Sequence, residues 1–94
     1  MKKRAQLNPL QKLNQKRKHI DSVDQKLLTL LNQRLRLVQE IGKIKKEMRK
    51  KIYDPEREKE VLEKLKITNR GPLPEADLKK IFKTMIRVCR KLQI

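Results

Sequence analysis

Between Lys12 and Met48, apolar residues recur at Leu13, Ile20, Val23, Leu27, Leu30, Leu31, Val38, Ile41, Ile44 and Met48. The steps are mostly threes and fours, the period of a helix with one buried side. Proline is absent from the run and Gly42 is its one glycine. Most other positions hold Lys, Glu, Gln or Arg, which favour helix. The pattern predicts one helix of about 37 residues, roughly 55 Å long at about 1.5 Å per residue. A compact chain of 94 residues has a radius of gyration near ~12 Å, so such a rod outruns what its own chain can cover. The rest of the stripe needs a partner, most simply a second copy. The competing expectation is a helix broken near Gly42 and folded back.

Two shorter helices follow. Asp54 is a good N-cap, Pro55 a good first helical residue, and Glu56 places negative charge where the helix dipole favours it. This second helix, of about 14 residues, buries Val61, Leu62 and Leu65 and stops near Asn69-Arg70-Gly71-Pro72. A third, of about 19 residues, begins near Pro74 or Glu75 with an apolar face of Leu78, Ile81, Phe82, Met85, Val88, Cys89 and Leu92. The expected fold class is all-α, three helices per chain with a very long first one, paired with a second copy. Residues 1–11 are expected to form a basic flexible arm and 12–94 the helical domain, although Asn8 and Pro9 could mark the helix start.

Charge narrows the partner. With 27 Lys plus Arg against 11 Asp plus Glu, the formal net charge is +16. Residues 1–19 alone hold seven Lys or Arg and no acid. Such an excess implies an anion: a nucleic acid, a membrane surface or a small polyanion. One cysteine excludes an internal disulfide. The basic N-terminus is not followed by a signal-type apolar block, and no run approaches the roughly 20 residues that span a bilayer. A soluble, cytoplasmic protein without a membrane partner is expected. One His and one Cys offer no metal-ligand cluster.

The informative residues are polar ones on apolar stripes. Arg34 falls three after Leu31 and four before Val38; Lys45 falls four after Ile41 and three before Met48. At about 100° per residue they share one face, roughly 16 Å apart. Two cations there cost desolvation unless anions meet them. In the second helix Glu58 precedes Val61, Leu62 and Leu65 by three, four and seven, and Arg57 lies one turn from Val61. In the third, Gln93 follows Cys89 by four and Ile86 by seven. Long cationic side chains often reach water from a stripe edge, but several such residues on three helices point to a partly buried cavity. Its three cations, one carboxylate and one amide suit a small dianion with a further hydroxyl or ether oxygen. Arg17 lies about 25 Å along the rod from Arg34, so it can join this set only from a second, antiparallel chain.

These residues carry a resemblance to the all-helical class of chorismate mutase, from about Leu13 to Gln93. The matching segments are Arg17-Lys18-His19-Ile20-Asp21-Ser22-Val23-Asp24, Leu27-Leu28 through Leu31-Asn32-Gln33-Arg34, Glu40-Ile41-Gly42-Lys43-Ile44-Lys45, Ile52-Tyr53-Asp54-Pro55-Glu56-Arg57-Glu58 and Arg90-Lys91-Leu92-Gln93. Their order and spacing make the signature. The resemblance implies an intertwined homodimer with two composite active sites, in which chorismate rearranges to prephenate without nucleophile, metal or cofactor. It implies that Arg34 and the partner chain's Arg17 bind the two substrate carboxylates. Lys45 and Gln93 would donate to the ether oxygen of the breaking bond. Glu58 would hold the ring hydroxyl, aided by the backbone near Asp54, and Arg57 would order the pocket. Cys89 stands where relatives commonly have a serine beside the substrate, Pro74 where they often have a Ser or Thr cap, and Lys16 where an apolar residue is usual.

Two other functions compete. An isochorismate pyruvate lyase on the same scaffold would use the same anion-binding logic. A basic helical nucleic-acid binder would explain the charge, but it leaves Gln93 and Glu58 on inward faces without a role and shows no helix-turn-helix, zinc-finger or basic-zipper layout. A plain coiled coil would not place so many polar residues on its seam. Related domains also occur fused to other enzymes of aromatic amino-acid synthesis.

Overall fold

The computed structural model describes residues 6–93. Three helices follow one another: α1 (Pro9–Glu47, 39 residues), α2 (Pro55–Thr68, 14 residues) and α3 (Glu75–Lys91, 17 residues). α1 is unbroken at Gly42, so the folded-back alternative does not hold. It starts three residues before the expected domain boundary at residue 12. The reason is local: the Gln11 backbone N–H donates to Asn8 Oδ1 at 2.8 Å and the Asn8 N–H to Gln11 Oε1 at 3.0 Å. This is a reciprocal cap with Pro9 in the first helical position. Pro9, Leu10 and Gln11 of the expected arm are therefore helical, and Met1–Ala5 lie outside the described residues.

The chain divides into two compact units, Met1–Gln33 and Arg34–Ile94. In the first, every described residue is exposed. Leu13, Ile20, Val23, Leu27, Leu30 and Leu31 form the stripe that the sequence marks, and all six are exposed.

The second unit holds the last part of α1, then α2 and α3. Its buried apolar residues are Val38, Leu78, Ile86 and Cys89, and Gly42 is buried with them. The buried stripe of α3 is Leu78, Ile86 and Cys89, narrower than the expected face. Phe82 and Met85 are half-buried, and Ile81, Val88 and Leu92 stay uncovered. Val61, Leu62 and Leu65 of α2 reach only half-burial rather than a full core position. A core this small gives modest stability by itself.

Glycine is required at Gly42 by proximity. A Cβ there would run into the Gln93 carbonyl oxygen and reach within 3.0 Å of Gln93 Cα. The end of α3 thus rests directly on α1 backbone. α1 ends soon afterwards, at Glu47. The Arg49 N–H bonds to Lys46 O (3.1 Å) and the Lys50 N–H to Lys45 O (2.8 Å), with Arg49 at φ 56°. That is the left-handed stop that usually recruits glycine. Asp54 then caps α2 through Oδ1, which accepts from the Arg57 N–H at 3.0 Å. At α3, Pro74 supplies no side-chain cap. Glu75 and Asp77 provide first-turn negative charge instead, and Glu75 also pairs with Lys66 at 3.2 Å.

Candidate active site

The second unit contains a cleft of about 210 Å³ lined from all three helices. From α1 come Arg34, Val38, Ile41 and Lys45. Asp54, Arg57, Glu58 and Val61 come from the start of α2, and Ile86, Cys89, Arg90 and Gln93 from the end of α3. Every residue proposed for substrate contact from within one chain therefore faces the same cleft. Arg17 does not line it and lies exposed in the first unit.

Helix geometry explains the convergence. Arg34, Val38, Ile41 and Lys45 are one i, i+4, i+7, i+11 row. Val38 packs into the core and fixes the row's direction, so the cations above and below it point the same way. Four cations and two carboxylates line the cleft, a balance of 4 − 2 = +2 that suits a dianion. Arg34 and Lys45 form no ion pair among the described residues.

Lys45 is held by uncharged acceptors. Its Nζ donates to Ile52 O at 2.7 Å and to Gln93 Oε1 at 3.4 Å. An ammonium has three donors, so one remains. Because Gln93 accepts through its oxygen, its amide NH₂ is the end left to donate. Lys45 thereby sets the amide orientation, and together they leave hydrogen-bond donors for a ligand.

Arg34 Nη1 donates to Cys89 Sγ at 3.1 Å. The buried thiol stands in the place of a serine, and its sulfur accepts from and steadies the guanidinium. Asp54 uses its side chain for the α2 cap, and its carbonyl oxygen accepts from the Glu58 N–H at 3.1 Å. Arg57 borders the cleft, yet its guanidinium turns to Glu60 at 2.9 Å. Lys64 first, and then Arg57, hold the Glu60 carboxyl below the usual carboxylate range.

One cleft residue escaped the sequence reading of individual roles. Arg90 Nη2 donates to Glu58 Oε1 at 2.7 Å, and its guanidinium carbon lies 4.4 Å from the centre of the Tyr53 ring. Its partner lies 32 residues earlier, out of reach of any periodicity argument.

Comparison with known proteins identifies the family and the fold. The profile of chorismate mutase type II matches residues 16–94. The fold is similar to the chorismate mutase (form II) structure from Thermus thermophilus, with TM-score 0.86, 39% identity and coverage of 87% of this chain and 93% of that one. The chorismate mutase of Methanocaldococcus jannaschii is 34% identical, over 89% of this chain and 86% of its own length. The bifunctional chorismate mutase/prephenate dehydratase of Aquifex aeolicus is 36% identical over 89% of this chain. The chain spans 24% of that bifunctional relative's length.

Proposed function

The chain belongs to the chorismate mutase type II family, and from that premise we propose that it converts chorismate to prephenate in a cleft completed by a second copy of itself. The observation that carries this reading is the Lys45–Gln93 pair, anchored and with donors to spare, facing the same cleft as Arg34 and Glu58.

The reaction is intramolecular: one C–O bond breaks as one C–C bond forms within a single molecule. No nucleophile is required. The protein has two tasks, to hold the compact conformer and to stabilise negative charge growing on the ether oxygen. Arg34, steadied by Cys89, binds one carboxylate. The partner subunit's Arg17 binds the other. Glu58 accepts the ring hydroxyl. The remaining Lys45 N–H and the Gln93 amide donate to the ether oxygen, where their contribution grows as the bond breaks. Arg57 frames the entrance while it is tied to Glu60.

The exposed stripe of the first unit supports the second copy. Leu27, Leu30 and Leu31 are 53%, 60% and 38% exposed. Full burial of such a side chain contributes about 1.5–3 kcal/mol, so covering the stripe supplies a substantial driving force. We read the enzyme as a cytoplasmic homodimer whose catalytic domain is residues 12–94.

The test is steady-state kinetics with product identification, with isochorismate run in parallel. Lys45→Ala and Gln93→Ala should each lower kcat by about 10²–10³-fold, the loss typical of removing one such donor. Near-wild-type turnover in both purified variants would defeat the reading, and pyruvate release from isochorismate would redirect it to the lyase.

A further inference from the structure

We propose that Arg90 is a positioning residue that presents Glu58 to the substrate. The inference rests on reading the cleft as the reaction site, and it assigns Arg90 a specific task there.

The Arg90–Glu58 pair is the least exposed ion pair among the described residues. Its side chains are 37% and 22% exposed, whereas the members of the other three pairs are all above half. The 2.7 Å contact is short and charge-assisted. It engages only Glu58 Oε1; Oε2 has no protein partner among the described residues. One oxygen is thus pinned and the other left to accept from a ligand hydroxyl. Without Arg90 the carboxylate would be free to change rotamer and turn to water.

Arg90 is itself fixed. Its guanidinium lies over Tyr53, which belongs to the link before α2. Its Nε is buried without a hydrogen-bond partner, so the side chain keeps this pose although one donor goes unmet. Tyr53, Glu58 and Arg90 therefore join the link, the start of α2 and the end of α3. Arg90 and Glu58 also border a second, wider groove of about 550 Å³, so the pair forms part of the wall between that groove and the cleft. A planar guanidinium suits both contacts, the ring face and the carboxylate; a lysine ammonium would keep only the charge.

The experiment is a double-mutant cycle in the intact chain, with kcat/KM for chorismate as readout and thermal melting as the check on folding. The variants are R90A, R90K, E58Q and E58Q/R90A. If Arg90 acts through Glu58, R90A lowers kcat/KM about tenfold, R90K restores part of the loss, and R90A costs less than about twofold once E58Q is present. An equal fold-loss from R90A in both backgrounds overturns the proposal and leaves Arg90 as a wall residue. So does wild-type kcat/KM in R90A. Should R90A fail to fold, R90K carries the test: it must lose activity with Glu58 present and not with E58Q. If E58Q alone has wild-type kcat/KM, both Arg90's task and Glu58's contact fall. The mutase reading would still stand on the Lys45 and Gln93 variants.

Discussion

The two units differ more in what covers them than in what they are made of. The apolar period of α1 runs through both. In the unit beginning at Arg34, Val38 and Gly42 are buried, and Gln93, just past α3, sits against Gly42. In the unit ending at Gln33, the same period produces Leu13, Ile20, Val23, Leu27, Leu30 and Leu31, all exposed. The far end of a long amphipathic helix must be covered by another chain or remain wet. The polar residues divide in the same way. Arg34, Lys45, Glu58, Arg90 and Gln93 meet in one cleft, while Arg17 stands alone. On the proposed reading, one unit holds most of the chemistry, and the other offers the surface for a second copy and one further cation.

The largest test attacks the uncovered unit. Leu27→Glu with Leu31→Glu changes no cleft residue and keeps helix-favouring side chains. It places two carboxylates on the surface that a second copy must cover. We expect the dimer to dissociate, as followed by sedimentation. The rate of chorismate loss should fall at least ~100-fold, because the partner subunit's Arg17 no longer reaches the substrate. A helical monomer with full turnover would end the composite-site account and make the second unit sufficient.

A sharper cut falls in the covered unit. Gly42→Ala would favour an isolated helix by roughly 1 kcal/mol. Here the added carbon meets Gln93 backbone atoms, which cannot rotate away as a flexible side chain could. The end of α3 must shift, carrying the Gln93 amide off Lys45. Overpacking typically costs about 1–3 kcal/mol, so the helical gain is cancelled or reversed. A displacement near 1 Å at a reacting group can cost up to ~100-fold in rate, and we expect about a tenfold loss in kcat. Thermal melting and kinetics together check this. An alanine variant that is more stable and fully active would show that α3 does not need its close seat on α1.

Much of this was legible in the sequence where the signal is local. Asp54-Pro55 marks the start of α2, and the structure begins it there with the cap in place. Arg34, Lys45, Glu58 and Gln93 stood out because each interrupts an apolar stripe, and all four line the cleft. What stayed hidden was contact across the chain. Gly42 read as a weak point in a helix, whereas it is a seat for Gln93. Ile86 was left off the apolar face of α3 but is buried, while Ile81, Val88 and Leu92 were placed on that face and are not. Periodicity gives a face but not which edge of it a neighbour covers. Arg90 drew no role of its own, since neither Tyr53 nor Glu58 is near it in sequence.

The smallest test compares the two helix starts. α1 opens with the reciprocal Asn8–Gln11 cap in the exposed unit, whereas α3 opens in the packed unit with Pro74 and no side-chain acceptor. Pro74 has φ −63° and ψ 145°, an extended conformation that a serine N-cap adopts readily. Pro74→Ser would offer Oγ to a first-turn N–H, a cap worth about 1 kcal/mol. Against this, losing proline restores freedom to the unfolded chain, at a cost of roughly 0.5 kcal/mol. The net gain of about 0.5 kcal/mol corresponds to a rise of ~2–4 °C in Tm for a chain of this size. The variant lies outside the cleft, so kcat should be unchanged. An unchanged or lower Tm would mean that Glu75 and Asp77 already satisfy the start of α3, and that a missing cap in the packed unit carries less penalty than the well-formed one on α1 implies.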